Sequence, residues 1–291
     1  VYKRQGEPFM IYLSHYLVHT PITPNDRFMK PGLSKYQALT RELDWHVGEV
    51  MNSLKEQGLD KNTLVFFISD NGPARYGSAS PLRGGKYYTL EGGCRIPAIV
   101  RWPGTVAAGT TCNTLSRTLD VFPTIAEVAG VKLSPKHKID GKTLMPRLKG
   151  RVDAKGHDVL FYYNGLTLEV VRKGKWTLHL PRQGDNRAYW AVASRDGYGN
   201  LVKPELFNLE NDIAEKRNVA DKHPEIVKKL LALAEGARQE LGDWNRKGSD
   251  QRPVDFKGNV NNPTGRKFSK MKGHKKSKKK KGERKAESQA K

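Results

Sequence analysis

A carboxylate and a carboxamide stand side by side at Asp70-Asn71, directly after the apolar run Thr63-Leu64-Val65-Phe66-Phe67-Ile68 and Ser69. Both present hard oxygen donors of the kind calcium and magnesium prefer. A strand that delivers such groups at its C-terminal end puts them where open α/β sheets hold ligands. Asp70-Asn71-Gly72 is equally a plain turn sequence, and two ligands fall short of the roughly six to eight oxygens calcium takes. His19, in Val18-His19-Thr20-Pro21, follows a second apolar run, and an imidazole there can give a proton to a leaving oxygen. A surface or structural histidine is the plainer reading of that position. Lys86 follows Gly84-Gly85, which lets the chain approach an anion closely so that the ammonium offsets its charge; an isolated lysine is ordinarily just solvated.

Several elements have to carry these groups. Phe9-Met10-Ile11-Tyr12-Leu13 reads as a short buried strand feeding a polar loop over 14–23. Ser34 caps a helix whose apolar residues Tyr36, Leu39, Leu43, Val47, Val50 and Leu54 recur at helical spacing, with Gly58 as the stop. The run 63–68 is continuous and too short for a typical helix, so it is predicted as a central strand buried on both faces. A glycine-rich loop containing Pro81-Leu82-Arg83-Gly84-Gly85-Lys86 and Glu91-Gly92-Gly93 leads to a further strand over 96–102. Strand, helix and strand in this order predict a parallel sheet. A second helix fits 121–129, with Asp120 as its cap, Pro123 in its first turn and Gly130 as terminator. Beyond Gly150 the pattern turns to strands at 159–163, 169–172 and 175–179, with Gly174 making an antiparallel hairpin of the last two. A helix over 224–241, with Ile226, Leu230, Leu233 and Ala237 on one side, completes a small α+β unit.

Taken in order, these segments resemble successive blocks of the type I sulfatases. The blocks are Pro8 to Leu13 with His19-Thr20-Pro21, Thr63 through Asp70-Asn71-Gly72-Pro73, Leu82-Arg83-Gly84-Gly85-Lys86 and Glu91-Gly92-Gly93-Cys94-Arg95-Ile96-Pro97. Asp120-Val121-Phe122-Pro123-Thr124, Lys175-Trp176-Thr177-Leu178 and Glu205 through Asp212 continue the match to about residue 235. The resemblance implies an α/β fold. It would be the C-terminal part of an alkaline-phosphatase-like α/β/α sandwich, with a small α+β subdomain built on an antiparallel sheet. It implies a sulfuric ester hydrolase that uses calcium, in preference to magnesium, and a formylglycine nucleophile, acting on a sulfate ester, a sulfated carbohydrate in the first instance. Asp70 and Asn71 match the family's second pair of metal ligands, Lys86 the lysine that contacts the sulfate, and His19 the histidine that contacts it and assists the leaving alcohol. In that chemistry one hydroxyl of the hydrated formylglycine attacks sulfur, His19 protonates the alcohol, and the second hydroxyl expels sulfate. His15 receives no role. A phosphonate monoester or phosphodiester hydrolase of the same superfamily is the nearest alternative.

The family's nucleophile arises from a Cys/Ser-x-Pro/Ala-x-Arg signature close to an early acidic metal-binding pair, and neither occurs in this sequence. Cys112-Asn113-Thr114-Leu115-Ser116-Arg117 departs from the signature. Its arginine falls five places after the cysteine, its third residue is threonine, and it lies downstream of Asp70-Asn71. Cys94 is expected to be structural. The chain is therefore expected to be the C-terminal part of a longer enzyme, without turnover alone, and a secreted or periplasmic location is an expectation from the family resemblance and its calcium dependence, with no signal peptide observable in this sequence. Val1-Tyr2-Lys3-Arg4-Gln5 resembles a translated sequencing adapter and is set aside, which leaves 6–155 as core, 156–245 as subdomain and 246–291 as tail.

Composition restricts the remaining classes. The chain has 291 residues and 37% apolar content, enough for a sizeable core. Two cysteines make neither a disulfide framework nor a four-ligand zinc site, and no run of 18 or more apolar residues spans a membrane. Of the net charge of +22, about +13 falls after residue 245, in a stretch that ends in a lysine run over 275–281. That stretch is predicted to be a disordered, solvated tail; contact with polyanions is its other use, without specific nucleic-acid readout because aromatic residues are not interleaved. Substrate choice would rest on loops such as 75–80 and 184–200, and Tyr87, Tyr88, Trp190 and Tyr198 are candidates for a sugar platform, packed aromatics being the plainer reading.

Overall fold

The computed structural model describes residues 7–151, 153–182 and 199–251. The adapter-like residues 1–5, the platform candidates Trp190 and Tyr198 and the lysine run lie outside the described residues.

Helix α1, Lys35–Glu56, opens as its sequence predicts. The Ser34 hydroxyl accepts from the Gln37 amide while the Gln37 side chain accepts from the Ser34 amide, so two otherwise orphaned N–H groups are satisfied. It ends before Gly58, whose φ of 68° closes the turn. Strand β1, Val65–Ile68, follows, then a long glycine-rich loop holding the one-turn helix α2, Glu91–Cys94, then strand β2, Ala98–Arg101. β1 and β2 pair antiparallel, Val65 opposite Arg101 and Ile68 opposite Ala98. The expected parallel pairing is thus corrected. A parallel return needs a crossover, usually a full helix, and this loop doubles back instead. β1 is also only half-buried, with Ile68 exposed, because β2 is its one strand neighbour among the described residues. Residues 9–13 form no strand and are exposed from end to end, so the strand predicted there has no sheet to join.

Helix α3, Val121–Val128, stands where expected, but Asp120 does not cap it. The Asp120 carboxylate instead accepts from the amides of Arg117 and Lys142 and from His157 Nε2 at 2.7 Å, tying α3 to the strap after it. The short helix α4, Met145–Leu148, closes this half of the chain.

The second half is an antiparallel sheet in the order β3-β4-β5-β6, built from Val159–Asn164, Thr167–Lys173, Trp176–His179 and Glu205–Asn208. Gly174, at φ 55°, makes the β4–β5 turn as predicted. Helix α5, Pro224–Leu241, lays Leu230, Ala234 and Ala237 on the sheet, against Leu168, Val171, Leu178, Leu180 and Leu206. Each fully buried leucine here contributes about 1.5–3 kcal/mol of burial free energy. The packed chain continues past the expected boundary at Arg246. Strands β7, Gly242–Asp243, and β8, Arg246–Lys247, pair, Arg246 bonds Glu235, and the amides of Ser249 and Asp250 return to α5 carbonyls.

Candidate functional site

The site begins with a backbone knot. Ser69 N–H donates to Pro97 O at 3.3 Å, Gly72 N–H to Gly93 O at 3.0 Å and Lys86 N–H to Pro73 O at 2.8 Å. The turn carrying Asp70 and Asn71 at the end of β1 is thereby bonded to both the Gly84-Gly85-Lys86 stretch and the Glu91-Gly92-Gly93 stretch. Glycine is required where these backbones meet. A Cβ on Gly72 would lie 1.9 Å from Gly92 O, and one on Gly93 would lie 2.0 Å from Tyr88 O. Neither glycine has a left-handed φ, so the requirement is steric.

Three of the four sequence-predicted residues meet here through the backbone. Asp70 is exposed and makes no ion pair among the described residues; Asn71 and Lys86 are half-buried. The Lys86 ammonium lies 5.5 Å from the centre of the Tyr87 ring, with no carboxylate partner among the described residues. A free carboxylate, a carboxamide and an unneutralised ammonium are the donor set for a hard cation and an anion it carries. The fit to a metal is partial. Asp70 and Asn71 supply two oxygens, and no group of three or more His, Cys, Asp or Glu that could hold a metal exists among the described residues.

His19 stands apart from this knot. No hydrogen bond or ion pair among the described residues joins it to Asp70, Asn71 or Lys86. Its Nδ1 lies 2.9 Å from Thr20 O; a carbonyl only accepts, so Nδ1 carries a hydrogen and Nε2 is the atom left to face solvent. His15, four residues earlier, ties the segment to α1. The Leu17 amide donates to its Nδ1, so its Nε2–H donates to His46 Nδ1 at 2.7 Å. Burial first, and then His46, hold the His15 pKa below its usual value, with Glu42 opposing.

Neither cysteine belongs to this constellation. Cys94 is exposed as a residue, but its Sγ faces Tyr88 O at 3.7 Å. Desolvation in the knot, then the carboxylates of Glu91, Glu215 and Glu169, push its thiol up to about 12, in keeping with a structural role. Burial raises the Cys112 pKa too, but hydrogen bonding to Thr114 and the Arg147 guanidinium outweigh it and hold the thiol below its ordinary range.

A set of buried ionisable residues around the knot was not singled out from the sequence. Glu91, 1% exposed, receives both oxygens' bonds from Arg172 at 2.8 and 2.9 Å. Thr89 Oγ donates to Glu169 at 2.6 Å, and Glu215 accepts from the Glu91 amide and from His179 Nε2, each at 2.8 Å. Breaking one side of such a buried pair typically costs about 3–5 kcal/mol. The available signal was Glu169-Val170-Val171-Arg172, two charges inside an apolar strand.

Comparison with known proteins agrees with this organisation. The sulfatase family model matches residues 1–131, and the model for the C-terminal region of aryl-sulfatase matches 155–255. An N-acetylgalactosamine-6-O-sulfatase of Bacteroides thetaiotaomicron is 32% identical over 253 residues, 82% of this chain and 48% of that protein. A steryl-sulfatase of Rattus norvegicus is 39% identical over 180 residues, 58% of this chain and 31% of that protein. A Bacteroides thetaiotaomicron structure, from a study of glycosaminoglycan metabolism, superposes with a TM-score of 0.70 at 33% identity, over 80% of this chain and 51% of that one. The chain spans about half, or less, of the length of these relatives. Matched by two consecutive sulfatase models and by sulfatase relatives along most of its length, this chain belongs to the sulfatase family.

Proposed function

We propose that the protein this chain comes from hydrolyses sulfate esters of a carbohydrate, and that Asp70, Asn71, Lys86 and His19 are this chain's share of the active site. The observation that carries the reading is the 2.8 Å bond from Lys86 N–H to Pro73 O, which holds the Lys86 backbone against the turn bearing the Asp70 carboxylate and the Asn71 carboxamide. Asp70 and Asn71 would supply two oxygens of a calcium shell, and the cation, when bound, would neutralise charge on the sulfate oxygens. Lys86 holds the sulfate by charge and steadies it as negative charge shifts to the leaving oxygen. His19, protonated on Nε2 as well as Nδ1, gives the Nε2 proton to the departing alcohol. The carbohydrate class is supported by the N-acetylgalactosamine-6-O-sulfatase relative, while the steryl-sulfatase relative shows how widely substrates range among similar chains.

The test uses the longer protein, with this chain joined to its upstream coding sequence. Lys86→Ala should lower kcat/KM about a hundredfold or more. His19→Ala should lose about a hundredfold on a sugar sulfate and much less on 4-nitrophenyl sulfate, whose leaving group departs without a proton. Equal His19→Ala losses on both esters would remove the general-acid role. A preference for phosphonate monoesters over sulfates would replace the reaction class, and turnover of an aryl sulfate by the 291-residue chain alone would refute the division of the site.

A further inference from the structure

The antiparallel sheet and the loop that follows its last strand hydrogen-bond the glycine-rich loop on both sides of Lys86. Arg83 Nη1 donates to Glu215 O at 3.2 Å, Thr89 Oγ to Glu169 at 2.6 Å, and Glu91 is held through its amide by Glu215 and through its carboxylate by Arg172. Glu215 is the common member. One carboxylate oxygen accepts from the Glu91 N–H and the other from His179 Nε2, each at 2.8 Å, while its main-chain carbonyl takes Arg83. Both Glu215 and His179 are 1% exposed. Glu215 also sits at φ 51°, a left-handed conformation that glycine or asparagine would adopt at less cost. A turn by itself gives no reason for glutamate at this position; the carboxylate that bridges two donors does.

We propose that Glu215 is a positioning residue of the active site: from the C-terminal subdomain it fixes the loop 83–91, and so keeps Lys86 bonded against the Asp70-Asn71 turn. This rests on the reading of Lys86 as the residue that holds sulfate. The path is physical and short. Glu215 anchors Arg83 and Glu91, the segment between them has little freedom left, and its Lys86 N–H closes onto Pro73 O at 2.8 Å.

Amide hydrogen exchange in the 291-residue chain tests it, because the Lys86 and Gly92 amides report the loop while Val171 and Leu178 report the sheet core. Glu215→Ala should speed exchange at Lys86 and Gly92 about tenfold or more and leave Val171 and Leu178 unchanged. Glu215→Asp keeps the charge but withdraws the carboxylate, so it should open the loop as well, and it serves should the alanine variant fail to fold. Glu215→Gln keeps an acceptor for the Glu91 amide and should return loop exchange to within about threefold of the parent. Unchanged loop exchange in Glu215→Asp, or an equal rise in loop and sheet, would overturn the proposal. Titration with inorganic sulfate, followed by NMR of 13C-dimethylated lysine, separates the two readings. Sulfate binding that Lys86→Ala leaves intact would defeat the role of Lys86, while the exchange result would still decide whether Glu215 fixes the loop.

Discussion

Gly72→Ala is the sharpest perturbation of the knot. The added Cβ would lie 1.9 Å from Gly92 O and 2.9 Å from both Gly92 C and Gly93 Cα, where ordinary contact begins at 3.4 Å. An approach short by about 1.5 Å cannot be relieved by a side-chain rotation, because all three neighbours are backbone. The Gly72–Gly93 hydrogen bond must break or the two segments must part. Overpacking ordinarily costs about 1–3 kcal/mol, and rigid backbone puts this case at the upper end, about 3 kcal/mol. With a urea m-value of about 3 kcal/mol/M for a chain this size, the unfolding midpoint should fall by about 1 M. Gly48→Ala is the control. Gly48 lies inside α1 with nothing within 4 Å of its Cβ position, so alanine should stabilise by about 0.5–1 kcal/mol. Urea unfolding followed by far-UV circular dichroism measures both. A Gly72→Ala midpoint equal to that of the parent would refute the steric account of the turn that bears Asp70 and Asn71.

Two further predictions concern titrating groups. The folded-state pKa of His15 is depressed below 6.5, so between that depressed value and 6.5 the unfolded chain binds a proton that the folded chain does not, and stability falls as pH drops through the window. Urea midpoints measured from pH 7.5 to 5.5 should show this decline, and His15→Gln should flatten it; parallel curves for the two proteins would contradict the assignment. At pH 8, iodoacetamide should label Cys112 about tenfold faster than Cys94, as read by peptide mass spectrometry, since one thiol lies below its normal range and the other is raised to about 12. Equal rates would contradict it.

Much of this protein was legible locally. The Ser34 cap, the stop before Gly58, the Gly174 hairpin and the apolar stripe of α5 each depend on residues within a turn or two of one another, and each forms as its sequence predicts. The placement of Asp70 and Asn71 after β1 is local in the same sense, because a buried-type run delivers whatever follows it to the strand's end. Tertiary structure decided the rest. The strand predicted over 9–13 and the two-sided burial of β1 both required sheet neighbours, which an apolar pattern calls for but cannot supply. The antiparallel pairing of β1 with β2 depended on a loop folding back through glycine contacts between positions 72 and 93. Glu215 meets Glu91 across 124 residues of sequence, and no periodicity links positions so far apart. Periodic apolar patterning tells each segment which face to bury. Which buried carboxylate meets which N–H is settled only when those faces close on one another, because an unpaired polar group there costs more than the pairing returns.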